Sequence, residues 1–146
     1  MIHPAYLFIG LLALSACFFG AFDQQRFTQE RCVGDTTKFA CVENTVSLEA
    51  DGTVTMMLQN GAGESVSITG LTTSEDCGVE EPSFTIIRDG AEVTGQVLEP
   101  DDAFSLIVGC EPYPQDSVFD ETFVIHYGIV DGVSGLRASV EAVVLT

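Results

Sequence analysis

Five cysteines carry the clearest chemistry in this chain, and four of them lie in its polar part. Cys32, Cys41, Cys77 and Cys110 have neither CxxC nor Cys/His spacing, so we do not expect a zinc site. An even set in a Thr- and Ser-rich region behind an apolar leader indicates two disulfides formed outside the cytoplasm. Of the three possible pairings we predict Cys32–Cys41 and Cys77–Cys110, because the first pair brackets one short loop. A chain-entropy model gives about 2.7 and 3.8 kcal/mol for these two links.

The fifth cysteine, Cys17, lies in an apolar stretch and has two interpretations. The sequence Leu14-Ser15-Ala16-Cys17 matches a lipobox, the site at which a bacterial lipoprotein is cut and acylated on cysteine. In the other interpretation the thiol stays protonated and inert, because apolar surroundings disfavour the thiolate.

Acidic residues dominate the charge of the chain, with 22 Asp and Glu against five Lys and Arg and a net charge of −17. A domain this acidic repels phosphate backbones, which excludes nucleic acid as a partner. Solubility or adaptation to high salt is the favoured explanation, and Ca²⁺ at paired loop acids is the alternative. No pair has the alternating spacing of a calcium loop. The pairs are Glu75-Asp76, Glu80-Glu81, Asp101-Asp102 and Asp120-Glu121.

No catalytic constellation is evident in the sequence. It contains no GxSxG, P-loop or GxGxxG motif. His3 and His126 are the only histidines, and His126 alternates away from the inward residues of its strand, so we predict a surface position. A catalytic base would need a nucleophile or metal partner, and none is indicated. We therefore expect no enzymatic activity, cofactor, metal or small-molecule substrate.

The segment Pro4–Phe22 contains nineteen residues without a charge. As a helix it would be about 30 Å long, enough to cross a membrane core. Asp23–Arg31 lacks Pro and Gly, so the predicted helix continues to Arg31 and ends near Gly34. A helix that is apolar all round needs lipid, other copies of itself, or removal. The segment is therefore a cleaved secretory signal, a membrane anchor, or a helix buried in a filament.

Small and aromatic residues in this segment suggest how helices could pack together. Gly10 and Gly20 would let a neighbouring helix approach closely, and Phe18 and Phe22 would share one face. The residues expected at the assembly contact are Leu7, Ile9, Gly10, Leu11, Leu12, Leu14, Phe18, Phe19 and Phe22.

From Thr45 onward the hydrophobic period changes to two, which predicts strands. They cover residues 45–50, 53–58, 65–71, 83–88, 91–98, 103–110, 123–129 and 136–145. The residues expected to point inward are Val46, Leu48, Ala50, Val54, Met56, Leu58, Val66, Ile68, Phe84, Ile86, Phe104, Leu106, Val108, Phe123, Ile125, Tyr127 and Ile129.

Asp51-Gly52, Asp89-Gly90 and Asp131-Gly132 supply turn signals between these strands. Short strands at this spacing favour an immunoglobulin-like antiparallel β-sandwich. The expected class is α+β, mainly β. Residues 1–31 would form an apolar helix, and residues 32–146 would form an acidic, disulfide-bearing head.

Two stretches of the head resemble those of archaeal type IV pilins and related surface filament subunits. Thr53–Thr69 is similar to their strand, Asn-Gly loop, strand unit, and Leu98–Leu106 is similar to their turn and following strand. The resemblance implies an extracellular helical filament of many identical subunits, with helices in its core and heads outward for adhesion or surface contact. It also implies membrane insertion before assembly. The alternative is an extracytoplasmic surface domain anchored by the membrane or by lipid on Cys17, and a secreted enzyme or metal-binding domain ranks third.

Overall fold

A computed structural model describes residues 30–146, which form nine strands that pair antiparallel throughout. Within this part of the chain there is no helix long and apolar enough to cross a membrane. The strands are β1 (Arg31–Val33), β2 (Phe39–Leu48), β3 (Thr53–Asn60), β4 (Val66–Thr72), β5 (Phe84–Arg88), β6 (Ala91–Glu92), β7 (Ala103–Gly109), β8 (Val118–Ile129) and β9 (Leu136–Leu145).

The strands form two sheets that pack on each other as a sandwich. The four-stranded sheet has the order β1-β9-β8-β4, and the five-stranded sheet has the order β2-β3-β7-β5-β6. Seven of these strands follow the immunoglobulin-like arrangement, in which β2-β3-β7-β5 correspond to strands A-B-E-D and β4-β8-β9 to C-F-G. The predicted β-sandwich is therefore present in residues 30–146.

Alternating inward residues of both sheets form one core. Phe39 on β2 makes edge-to-face contacts with Phe104 on β7, at 6.0 Å between ring centroids, and with Tyr127 on β8, at 5.1 Å. These contacts join the two sheets, since Tyr127 belongs to the four-stranded sheet. Ala50, predicted to point inward, lies exposed in a turn. The predicted inward residues that are buried are Val54, Met56, Leu58, Val66, Ile68, Ile86, Phe104, Leu106, Val108, Phe123, Ile125 and Tyr127.

The α+β class predicted from the sequence is wrong for the described residues, which are all β. The predicted helix was to continue through Arg31, but Arg31–Val33 form β1 and pair with β9 at Glu141–Val143. Cys32 is buried here while its two neighbours are exposed, the alternation of a strand. Glu30 is not helical either, and residues 1–29 of the predicted helix lie outside the described residues. So do its contact residues Leu7, Ile9, Gly10, Leu11, Leu12, Leu14, Phe18, Phe19 and Phe22, as well as Cys17.

Strand β2 begins six residues earlier than predicted, because a bulge interrupts its alternation. Cys41 lies opposite Leu58 and Val46 lies opposite Met56, so the intervening residues of β2 outnumber those of β3. Within this bulge Glu43 and Asn44 have φ values of 55° and 54°.

The predicted fifth strand is also wrong in extent, since pairing ends after Ala91–Glu92. The amide of Val93 donates to the Ile86 carbonyl, and the chain then leaves the sheet. It then contacts the four-stranded sheet through a single bridge between Leu98 and Val66 on β4. The segment 93–102 thus closes one side of the sandwich.

Candidate functional site

Both predicted disulfides are present: the first joins a strand of each sheet, and the second joins a loop to the end of a strand. Cys32 on β1 bonds Cys41 on β2, with 5.8 Å between their Cα atoms. Cys77 in the β4–β5 loop bonds Cys110, directly after β7, with 4.7 Å between Cα atoms. Two such links indicate an oxidising compartment, either extracellular or periplasmic.

Glu121 on β8 is fully buried and holds the loop that carries Cys77. Its Oε1 accepts hydrogen bonds from the Ser74 amide and from the Ser74 hydroxyl, the latter at 2.9 Å. Its Oε2 accepts from the amides of Glu75 and Cys77, both at 3.2 Å. Four donors converge on one carboxylate, which satisfies a charge that would otherwise be costly to bury.

Asp76 makes the reciprocal connection from the same loop back to β8. Its Oδ2 accepts from the Asp120 amide at 2.8 Å, and the Tyr113 hydroxyl donates to the Val118 carbonyl at 2.9 Å nearby. Partial burial is the largest cause of a raised pKa of Tyr113, and the negative charge of Asp76 adds to it.

Asn60 is the other fully buried polar residue of the described chain. Its Nδ2 lies 2.9 Å from the Glu64 carbonyl oxygen and 3.1 Å from those of Leu98 and Glu99. Its Oδ1 accepts from the Ala62 amide at 3.0 Å. One side chain therefore connects the β3–β4 loop to the segment that precedes β7.

The paired acids do not assemble into a cation site within residues 30–146. No group of three or more His, Cys, Asp or Glu side chains in this range is placed to hold a metal ion. Glu121 is occupied by loop amides, and Asp102 forms a salt bridge with Arg88 at 2.8 Å. With Asp76, which accepts from the Asp120 amide, three of the four candidate pairs thus supply structural hydrogen bonds.

His126 lies on the outer face of β8, as predicted, but it is half-buried. Its Nε2 is 3.1 Å from the Thr72 hydroxyl on β4. A shallow depression beside it is lined by Glu81, Pro82 and Phe84. The imidazole therefore joins two neighbouring strands, and this arrangement does not identify a nucleophile.

The acidic residues are concentrated in turns and loops. Within the described residues, the acids on strands are Glu43, Glu92, Asp120, Glu121 and Glu141. The outward positions of β3, β7 and β5 carry no charged side chain. We call the centre of this surface the neutral face, and it consists of Thr55, Met57, Thr85, Ile87, Ser105 and Ile107.

The outer face of the four-stranded sheet differs, because it carries charges of both signs. Arg31 and Glu141 form a salt bridge at 3.0 Å on this face, next to Asp120. Partial burial is the largest cause of a raised pKa of Asp120, repulsion from Glu141 adds to it, and attraction to Arg31 opposes it.

The N-terminal segment joins the sandwich at this same edge. The Leu145 amide donates to Oε1 of Glu30 at 3.3 Å, and the next three residues form β1. Because Cys32 is both paired with β9 and linked to β2, the junction is fastened to both sheets. A pull on the N-terminal segment would therefore act on a strand of each sheet, β9 and β2, and not on β1 alone.

Comparison of the chain with protein-family models, with curated proteins and with solved structures finds no match.

Proposed function

We propose that this protein is a structural subunit of an extracellular filament. The apolar segment Pro4–Phe22 assembles with those of other copies, and the sandwich forms the outward head. The membrane holds the subunit before assembly. The observation that carries the proposal is the junction at β1, where the chain, after the uncharged segment and the polar stretch 23–30, enters a strand bonded to both sheets. Such a junction suits a subunit that must transmit load from an assembled core to its head.

The charge distribution supports the same function. The acids of the described chain lie mainly in loops, and the segment Pro4–Phe22 contains none, so assembly through that segment buries no charge. Like charges on the heads would keep neighbouring filaments apart. An interface in which the segment of one subunit contacts different surfaces of its neighbours does not close, and it therefore produces a fibre. Adhesion or surface contact would follow from the exposed heads.

Electron microscopy of the intact chain, isolated from its native surface without detergent, tests this proposal. We expect long fibres with a narrow core and a knobbed exterior. Gly10→Leu should reduce fibre formation, and the circular dichroism of the head serves as the control for folding. Dispersed particles, or protein found only in membrane fractions, would contradict the filament.

A second candidate is a surface domain anchored by lipid on Cys17, which the lipobox match favours. Under this function Cys17→Ser should release the protein from membranes, and mass spectrometry of the native N-terminal peptide should show an acylated cysteine. Continued membrane association of the variant, with an unprocessed N-terminus, would contradict lipid anchoring.

A further inference from the structure

We infer that the neutral face is a contact surface for the neutral face of a second copy of this chain. The inference rests on the proposed function, because it requires that the apolar segments be engaged in assembly and hold the heads close together. It goes further by naming the surface through which neighbouring heads meet.

Charge is the first argument for a second copy on this face. Two chains that each carry a net charge of −17 repel wherever their acidic loops approach. The outward positions of β3, β7 and β5 are uncharged, whereas the outer face of the other sheet presents Asp120 and Glu141. Contact through the neutral face therefore keeps acids out of the centre of the interface and leaves them at its solvated rim.

The chemistry of the neutral face makes it complementary to itself. Met57 is 40% exposed, and it lies opposite Ser105 in the β3–β7 register. In the next row, Thr55 lies opposite Ile107, which is also opposite Thr85 on β5. Hydroxyl groups both donate and accept hydrogen bonds, so two identical surfaces of this kind can bond each other. The thioether and the isoleucines supply apolar area between those hydroxyls.

The size of the face sets the strength of the contact. Three strands about 4.8 Å apart and some seven residues long give a surface of roughly 330 Å² per copy. A pair would bury about 670 Å², well below the roughly 1,200–2,000 Å² of standard stable interfaces. The contact is therefore weak between free molecules and becomes populated when a shared core or membrane raises the local concentration of heads.

Oxidation of Met57 by hydrogen peroxide measures coverage of the face directly. The full chain is reconstituted in phosphatidylcholine vesicles at increasing protein-to-lipid ratios, and peptide mass spectrometry follows the oxidation. Met56 is fully buried and serves as the internal unreactive reference. We expect Met57 oxidation to slow about threefold or more as the ratio rises, because oxidation of a thioether follows its exposure.

Salt should strengthen this protection. The acidic rims of two copies repel, and raising NaCl from about 0.1 to 1 M shortens the screening length from about 10 to 3 Å. We therefore expect stronger protection in 1 M NaCl at a fixed protein-to-lipid ratio. Weaker protection at high salt would contradict contact between two like-charged copies.

A matched pair of substitutions separates the two sheet faces. Ser105→Glu places a charge in the neutral face and should abolish the protection of Met57. Ser139→Glu makes the same change at an exposed position on β9 and should leave the protection intact. If Ser105→Glu fails to fold by circular dichroism, Thr85→Glu on β5 replaces it.

Three further results would overturn the inference. Protection that does not depend on the protein-to-lipid ratio would mean that the chain's own apolar segment covers the face. Absence of protection at every ratio would mean that no second copy covers the face. Equal protection of Met57 in Ser105→Glu and Ser139→Glu would mean that the contact does not involve the neutral face. Failure of the chain to float with vesicles would count against anchoring and assembly instead. The oxidation series is then run in solution against protein concentration and judged by the same criteria.

Discussion

Asn60 and Glu121 are both fully buried, and each fastens an irregular segment to a strand, but they do so with opposite hydrogen-bonding roles. Asn60 mainly donates, because the backbone around it presents the carbonyl oxygens of Glu64, Leu98 and Glu99. Glu121 only accepts, because the loop that carries Cys77 presents amides. The orientation of the loop backbone thus decides whether an amide or a carboxylate can be buried.

The two regions also differ in covalent support. The amide of Cys77 donates to Glu121, and the side chain of the same residue is bonded to Cys110. The loop at Asn60 is held by hydrogen bonds and by the bridge between Val66 and Leu98. We therefore expect the loop at Glu121 to be sensitive to loss of the carboxylate or of the disulfide. The loop at Asn60 should depend on the side-chain amide of Asn60 alone.

The largest expected effect is the loss of the Cys77–Cys110 disulfide. Replacing both residues with alanine should lower the free energy of unfolding by about 3.8 kcal/mol, because the link closes a long loop. The measurement is urea unfolding of the full chain in a mild detergent, followed by circular dichroism. The matched control is the double alanine variant of Cys32 and Cys41, for which the same model gives about 2.7 kcal/mol. If the Cys32/Cys41 variant loses more unfolding free energy than the Cys77/Cys110 variant, loop length does not determine how much each disulfide stabilises the fold.

Glu121→Gln is expected to cost about 3 kcal/mol, because the new NH₂ group faces loop amides and leaves buried donors without an acceptor. The same urea measurement applies. Asp120→Asn, one residue away on the outer face, is the matched control and should change stability by no more than about 0.5 kcal/mol.

Glu121→Gln also tests whether the hydrogen bonds of Glu121 and the Cys77–Cys110 disulfide stabilise the loop together. In the background that lacks Cys77 and Cys110, Glu121→Gln should cost a different amount than in the native chain, since both links hold the same loop. If the two losses of stability are strictly additive, the hydrogen bonds and the disulfide hold the loop independently. Covalent support then does not distinguish the loop at Glu121 from the loop at Asn60.

Asn60→Asp should cost about 2 kcal/mol at neutral pH, because a carboxylate would then face three carbonyl oxygens. The loss should shrink as the pH is lowered, because a protonated carboxyl group can donate a hydrogen bond. Gln96→Glu, at an exposed position in the segment that precedes β7, is the control and should have little effect. An equal loss in both variants at neutral pH would show that added charge, and not the donor role of Asn60, is responsible.

Neither buried polar residue was identified from the sequence, although a signal was present for both. Asn60 continues the inward series of Met56 and Leu58, and Glu121 lies in phase with Phe119 and Phe123. Extending the period-two alternation through polar positions would have placed both in the core. Residue type alone instead places Asn60 in a loop and Glu121 in an acidic pair with Asp120.

The strands that were predicted well have an unbroken alternation that packing then preserves. Strand β9 has the predicted bounds, and β3 and β7 begin where predicted. Strand β1 could not be found this way, since Arg31–Val33 contains a single buried residue and follows a polar stretch that also suits a helix. Its conformation is set by pairing with β9, more than a hundred residues away. Such a contact leaves no local period in the sequence.

The smallest expected effect concerns Asp120, whose raised pKa makes stability depend on pH. An acid with a raised pKa in the folded state binds its proton more tightly there than in the unfolded chain. Stability attributable to this group therefore falls as pH rises from its ordinary pKa of 3.8 through the raised value. Asp120→Asn removes the ionisation, so we expect the variant to be up to about 0.5 kcal/mol more stable at neutral pH.

The difference between Asp120→Asn and the native chain should decrease when both are unfolded in urea below pH 3.8, where the carboxyl group is protonated in both states. Asp131→Asn in the exposed β8–β9 turn is the control for a carboxylate that contacts no second acid across the sheet. A variant that is less stable than the native chain at neutral pH would show that attraction to Arg31 outweighs burial and the repulsion from Glu141. The edge where the N-terminal segment enters would then be held by an ion-pair network, and salt should weaken it.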